Sequence, residues 1–185
     1  MLASPATGVY ADLQFPSHND GWYGESLSVQ APLYEIANLR FNDDLFKNIL
    51  LQIYKNKARV SPEALLNGQD FPDMGACTKR KSVNFPFTGV SVLCANDKTV
   101  VLKYGPHGGS HGHPDKLSIS IHNGKKEIVS DLGTPAYGVP DYKRWYRRTL
   151  SHSTVLVDGK DQQFTTGKLN YFNLNKNGGD VEACC

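Results

Sequence analysis

Leu117-Ser118-Ile119-Ser120-Ile121-His122-Asn123-Gly124-Lys125-Lys126-Glu127-Ile128-Val129-Ser130-Asp131 is the stretch that decides the fold. Over 117–122, Leu, Ile and Ile alternate with Ser, Ser and His, the period-two pattern of a strand with one face inward. Asn123-Gly124 is the strongest short hairpin signal, because the favoured turn needs φ > 0 at both central residues. Residues 127–130 read as the returning strand. Just upstream, residues 90–95 and 99–104 are two further β-rich runs joined by Asn96-Asp97-Lys98. Downstream, residues 154–157 read as another strand, ended by Asp158-Gly159. The expectation is an antiparallel sheet of at least five strands.

Nearer the N-terminus the period is helical. Residues 1–24 read as loop, rich in Pro, Gly, Ser and Asn. From Glu25, Leu27, Leu33, Tyr34, Ile36, Ala37 and Phe41 form an apolar stripe that Pro32 interrupts. Asn42-Asp43-Asp44 caps a second helix carrying Leu45, Phe46, Ile49, Leu50, Ile53 and Tyr54. Ser61-Pro62 starts a third and Gly68 stops it. Short helices with one apolar face need a partner surface. The fold class is therefore α+β, with a helical unit over 1–75 and an antiparallel β unit over 76–185.

The composition, 39% hydrophobic and 21% charged in 185 residues, is that of a globular chain. A net charge of +2 is too weak to argue for nucleic acid. Basic residues cluster at 78–81 and at 143–148, where Trp145 and Tyr146 interleave; such a patch suits an acidic polymer, although 78–81 reads better as a solvated loop. Cys77, Cys94, Cys184 and Cys185 form no C-x-x-C knuckle, and the last two are expected to lie in a frayed end. No apolar run approaches the ~20 residues of a membrane span. No signal-peptide pattern is visible at Met1–Pro5, and nothing in the sequence selects an oligomeric state.

Gly105-Pro106-His107-Gly108-Gly109-Ser110-His111-Gly112-His113-Pro114-Asp115-Lys116-Leu117 carries the chemistry. Three histidines fall within seven residues of a Gly-rich loop that opens onto a strand, and loops at strand ends are where sites are built. The Asn123-Gly124 turn lies near the midpoint between Leu117 and Asp131, so Asp131 returns to the sheet end that holds His113. His152 precedes the 154–157 run. Imidazole and carboxylate are good zinc ligands, and His113, Asp131 and His152 make a reasonable metal set. The plainer reading is that these are ordinary hydrogen-bonded side chains.

Three segments carry a family resemblance: GPHGGSHGHPDKL at 105–117, SDLGTPAY at 130–137 and WYRRTLSHSTVLVDGKDQ at 145–162. In order they resemble the G-x-H-x-H-x-D, D-x-G-T and H-N/S-T-V-x-V-D-G segments that begin the β-domain of heparinase II/III-like polysaccharide lyases. Residues 15–21 with 33–37 are more loosely similar to the last helices of that family's (α/α) toroid. The resemblance implies the end of a toroid followed by an antiparallel β-sandwich, within a longer two-domain protein. It implies a structural zinc held by His113, Asp131 and His152. It implies that His111 faces the substrate and that Tyr137, or less well Tyr142 or Tyr146, lines the cleft. The family usually has Asn after the last zinc histidine, where this chain has Ser153. The implied activity is β-elimination on an acidic, uronate-containing polysaccharide such as alginate or a glycosaminoglycan, in a secreted or periplasmic protein.

In such a reaction the C5 proton lies α to a carboxylate. The enzyme must neutralise that carboxylate, remove the proton and protonate the leaving O4. His111 suits either neutralisation or proton exchange. Arg147 and Arg148 suit bidentate contact with uronate or sulfate, against the plainer reading of surface arginines. Two other functions compete. One is a noncatalytic carbohydrate-binding β-module with a structural zinc. The other is a zinc hydrolase, ranked last because no H-E-x-x-H or similar motif pairs a metal with a general base.

Overall fold

A computed structural model describes residues 3–55, 57–71, 80–176 and 178–185. Cys77, the first half of the 78–81 basic run and the expected unit boundary at 75/76 lie outside them. The helices are α1 (Ala3–Thr7), α2 (Ala31–Phe41), α3 (Asp44–Tyr54) and α4 (Pro62–Asn67). The strands are β1 (Val83–Phe85), β2 (Val90–Ala95), β3 (Lys98–Lys103), β4 (Ser118–Asn123), β5 (Lys126–Val129), β6 (Lys168–Asn175) and β7 (Gly178–Cys184). The α+β class is as expected, with helices first and antiparallel strands after them.

The helix starts follow from their caps. Asp43 accepts from Leu45 N at 2.8 Å, and Ser61 accepts from Ala64 N at 3.0 Å. Pro32 does not interrupt the first helix. It sits in the opening turn of α2, where a missing N–H costs nothing. Val9, Leu27, Tyr34, Ala37, Phe46, Ile49, Leu50 and Ile53 form the helical core. Inside it, fully buried Glu35 takes two bonds of 2.7 Å from Arg59, whose guanidinium also lies 4.4 Å from the centre of the Phe71 ring. This pair ties α2 to the segment that precedes and follows α4.

Strands β1 to β5 form one antiparallel sheet in sequence order. Lys103 pairs with Ser118, so the 104–117 loop leaves β3 and re-enters β4 at one sheet end. The β4–β5 hairpin turns at Asn123-Gly124 as expected, with a register irregularity between Ile121 and His122. Two expectations fail. Residues 154–157 form no strand, and Val157 makes only an isolated bridge to Lys160. Ser153 O instead accepts from Ile119 N, and Gln162 fills the space beside Thr154 and Val155. The chain end is not frayed, since Cys184 closes β7, which pairs with β6. No residue of the β6–β7 pair is fully buried, so no strongly apolar inward face announces it in the sequence.

The N-terminal segment belongs as much to the sheet as to the helices. Tyr10 stacks on His122 of β4 at 4.3 Å, His18 lies 3.3 Å from Ser120, and Tyr23 donates to Glu127 of β5 at 2.6 Å. Gly21 O accepts from Thr134 N at 3.0 Å, and Trp22 pairs with Thr134 in a parallel bridge. Gly133 makes that approach possible. Its φ is +62°, and a Cβ there would lie 2.0 Å from Gly21 O.

Candidate metal and substrate site

The 105–117 loop brings its three histidines to three different environments. His107 stacks on Phe164 at 4.0 Å. His111 stands at the surface with its side chain 67% exposed. His113 is fully buried. Gly112 lets the chain turn between the last two, because a Cβ there would lie 2.6 Å from Gly108 N. Its carbonyl accepts from Arg147 at 2.9 Å.

Buried polar ties hold the neighbouring segment in place. Thr149 donates to Pro114 O at 2.6 Å and accepts from Gln162 N at 2.8 Å. Gln162 also accepts from Lys116 N at 2.8 Å and donates to Lys116 O at 3.1 Å. Segments 113–117, 149–154 and 161–162 are thereby laced together. His152 follows a short 3-10 turn, Thr149–Ser151, rather than opening a strand.

His113, Asp131 and His152 do converge. His113 Nδ1 lies 3.2 Å from His152 Nε2, and His152 Nδ1 lies 3.0 Å from Asp131 Oδ2. All three are buried. Asp131 and His113 meet opposite nitrogens of one imidazole, so as the ring stands Asp131 supports His152 from behind. Asp131 Oδ1 accepts from Gly133 N at 3.0 Å. Burial pushes the Asp131 carboxyl up, and the His152 hydrogen bond and charge pull it below its ordinary range.

Asp20, which the sequence reading did not single out, closes the other end. Its carboxylate lies 3.1 Å from His113 Nε2, 2.8 Å from His111 Nδ1, 3.0 Å from the Tyr137 hydroxyl and 2.8 Å from the Tyr142 hydroxyl. Burial raises its carboxyl, but hydrogen bonds from these four groups outweigh burial and bring it down to about 2. Tyr137 in turn is raised, chiefly by its hydrogen bond to Asp20. Tyr142 is raised by burial and then by the same carboxylate. No sequence signal marks Asp20 except its place in the 15–21 segment.

Beneath lies a buried charge cluster that was also missed. Asp115 is fully buried and bonds Lys103 and Lys116, the latter at 3.5 Å, with both ammonium groups nearly inaccessible. Lys103 also donates to Asn19. Asp115, Asp131 and His152 offer ligand atoms that all lie within 4.8 Å of one another, a group that could hold a metal ion. Asp115 is, however, already the counter-ion of two lysines.

Acceptors and donors decide what the histidine pair can do. A carboxylate only accepts, so His113 Nε2 and His152 Nδ1 both carry protons toward Asp20 and Asp131. In the neutral rings His113 Nδ1 and His152 Nε2 are then lone pairs facing each other. That arrangement is repulsive unless a proton or a metal cation lies between them. The 3.2 Å separation is close to the roughly 3.3 Å edge of a tetrahedron with ligands about 2.0 Å from zinc. The residues present therefore fit a metal.

Of the two arginines, Arg148 is paired with Asp161, and Arg147 lies over the Tyr142 ring at 5.7 Å.

The family model for the heparinase II/III-like C-terminal domain matches residues 78–178, more than half of the chain. The chain belongs to the heparinase II/III-like family. A heparin-sulfate lyase of Bacteroides stercoris is 25% identical over 176 residues, covering 86% of this chain and 23% of its own length. Another, from Pedobacter heparinus, is 27% identical over 86 residues, covering 44% of this chain and 13% of its own. Among solved structures, a heparinase III gene product matches 99% of this chain and 27% of its own at TM-score 0.71 and 21% identity. The heparan sulfate lyase of Pedobacter heparinus matches 98% and 27% at TM-score 0.73 and 17% identity. These two likenesses show a shared heparinase-like fold. The chain spans about a quarter or less of the length of these relatives.

Proposed function

We propose that the chain is the zinc-bearing part of a polysaccharide lyase that cleaves uronate-containing glycosaminoglycan by β-elimination. One observation carries the reading. His113 Nδ1 and His152 Nε2 face each other 3.2 Å apart, each ring braced from behind by a carboxylate, beside a solvent-facing histidine. Both sequence relatives are heparin-sulfate lyases, which supports a sulfated uronate polymer as substrate.

His113 Nδ1 and His152 Nε2 are the atoms proposed to hold zinc; Asp131, expected as a third ligand, sits on the other nitrogen of His152 and is proposed to orient that ring. When bound, the ion would be structural, fixing loop 105–117 against 147–153. His111, two residues from His113, is proposed to meet the substrate carboxylate or its C5 proton. Tyr137, whose proton is directed at Asp20, resists ionisation, which suits it to donate rather than abstract a proton. Arg147 and Arg148 are proposed to meet carboxylate or sulfate at the rim. Each guanidinium has five donors, so its present partners leave some free. A secreted or periplasmic location accords with a polymeric substrate. Among the described residues no helix is long and apolar enough to cross a membrane.

A noncatalytic carbohydrate-binding module is the second reading, favoured by the exposed aromatics Trp22, Tyr137 and Trp145. The test is incubation of the full-length protein with heparan sulfate, monitored by ultraviolet absorbance of the unsaturated uronate. Unsaturated ends that are lost in His111→Ala support the lyase. Saturated binding without unsaturated product overturns it in favour of the module.

A further inference from the structure

Four side chains of the candidate site come from sheet loops, but the group that gathers them comes from the segment between α1 and α2. Asp20 is held by chain neighbours already tied to the β unit. Gly21 O accepts from Thr134 N, and Trp22 bridges Thr134. Its side chain is 8% exposed. Oδ1 meets the Tyr142 hydroxyl at 2.8 Å and His113 Nε2 at 3.1 Å. Oδ2 meets His111 Nδ1 at 2.8 Å and the Tyr137 hydroxyl at 3.0 Å.

Proton accounting around Oδ2 leaves a single arrangement. The Tyr137 hydroxyl has one proton, and it points at the carboxylate. His111 Nδ1 also lies 3.0 Å from the Tyr137 oxygen, which offers only lone pairs in that direction. Nδ1 therefore faces acceptors alone and must carry the proton. The neutral His111 ring then keeps its lone pair on Nε2, on the side of the ring away from Asp20. Free histidine prefers the opposite tautomer, so the carboxylate has to impose this one. The same carboxylate, through Oδ1, imposes a proton on His113 Nε2 and turns the His113 Nδ1 lone pair toward His152.

We infer that Asp20 is a positioning residue that sets the tautomer and direction of His111 and His113 together, coupling the solvent-facing histidine to the buried metal pair. Its catalytic consequence rests on the lyase reading; its effect on the rings does not. Because Asp20 lies outside the β unit in sequence, the inference also means that a β unit cut free of the N-terminal segment would carry all the expected site residues and still hold them wrongly.

Long-range proton–nitrogen correlation spectra of the labelled 185-residue chain, recorded above the histidine titration range, read the tautomers directly. In wild type His111 is expected as the Nδ1–H form. In Asp20→Asn, whose amide can donate to Nδ1, His111 is expected to move to the Nε2–H form. Wild-type His111 in the Nε2–H form overturns the inference, whether or not the variant folds. So does an unchanged His111 signal in a folded Asp20→Asn. In the full-length enzyme, Asp20→Asn is expected to lower kcat about 100-fold or more with KM little changed. Full wild-type turnover in that variant would also overturn it. A wild-type enzyme with no turnover, but with the tautomers as stated, would remove the lyase reading and leave the assignment of Asp20 standing.

Discussion

Asp115→Asn is the perturbation whose cost the structure fixes most tightly. The substitution keeps shape and volume and removes one negative charge. What remains is two ammonium groups, Lys103 and Lys116, with side chains 6% and 2% exposed and no carboxylate between them. At an effective dielectric of about 20, a single pair at 3.5 Å is worth roughly 5 kcal/mol before desolvation. Removing one partner of a buried pair costs about 3–5 kcal/mol in practice. With a urea slope of about 2 kcal/mol/M, the midpoint should fall by about 2 M at unchanged slope. Tryptophan fluorescence during urea titration measures it. The exposed pair Arg148–Asp161 is the control, since Asp161→Asn should cost no more than about 1 kcal/mol through its ion pair. A loss under about 1 kcal/mol for Asp115→Asn, or lysines that titrate normally in the variant, would refute the reasoning that this carboxylate neutralises both.

Three other predictions are smaller in scope. Glu35→Ala should destabilise by about 3 kcal/mol, because Arg59 loses both carboxylate bonds in the helical core; thermal unfolding checks this. Gly133→Ala should cost about 2 kcal/mol or more and lower zinc occupancy as well, since its Cβ would push Gly21 away from the loop that carries Asp131; unfolding and elemental analysis read the two effects. Asp20, depressed to about 2, contributes stability that is fully present above its unfolded pKa of about 3.9 and is lost as pH falls toward 2. Acid unfolding of Asp20→Asn should therefore be flatter than that of wild type over about pH 4 to 2.

Much of the fold was readable because its signals are local. The Asn123-Gly124 turn, the Ser61 and Asp43 caps and the alternation over 117–122 act within a few residues. They placed α3, α4 and the β2–β3 and β4–β5 hairpins to within a residue or two, whereas α1 falls in the 1–24 stretch expected to be loop and the helical pattern read from Glu25 becomes α2 only at Ala31. The misses have a common cause. Residues 154–157 carry strand-forming side chains, but Gln162 takes up hydrogen-bonding groups there, so tertiary contacts override propensity. No residue of β6 or β7 is fully buried, so neither strand carries a strongly apolar face to announce it. At the site, reasoning about sheet ends brought Asp131 to the right place, and His152 does meet His113 although it opens no strand, with Asp131 on the other nitrogen of His152. Asp20 and the Lys103–Asp115–Lys116 cluster were not placed. Asp20 lies 91 positions from His111, and no periodicity reports a contact at that separation. Asp115 and Lys116 entered only as part of the 105–117 segment, and nothing in that segment reports that both are buried.

Zinc per chain, by elemental analysis after reloading and removal of excess metal, tests the central claim most directly. The account predicts about one zinc in wild type, and little in His113→Ala and His152→Ala that circular dichroism shows to be folded. A folded wild-type chain that holds no zinc, or histidine variants that retain it fully, would contradict the account.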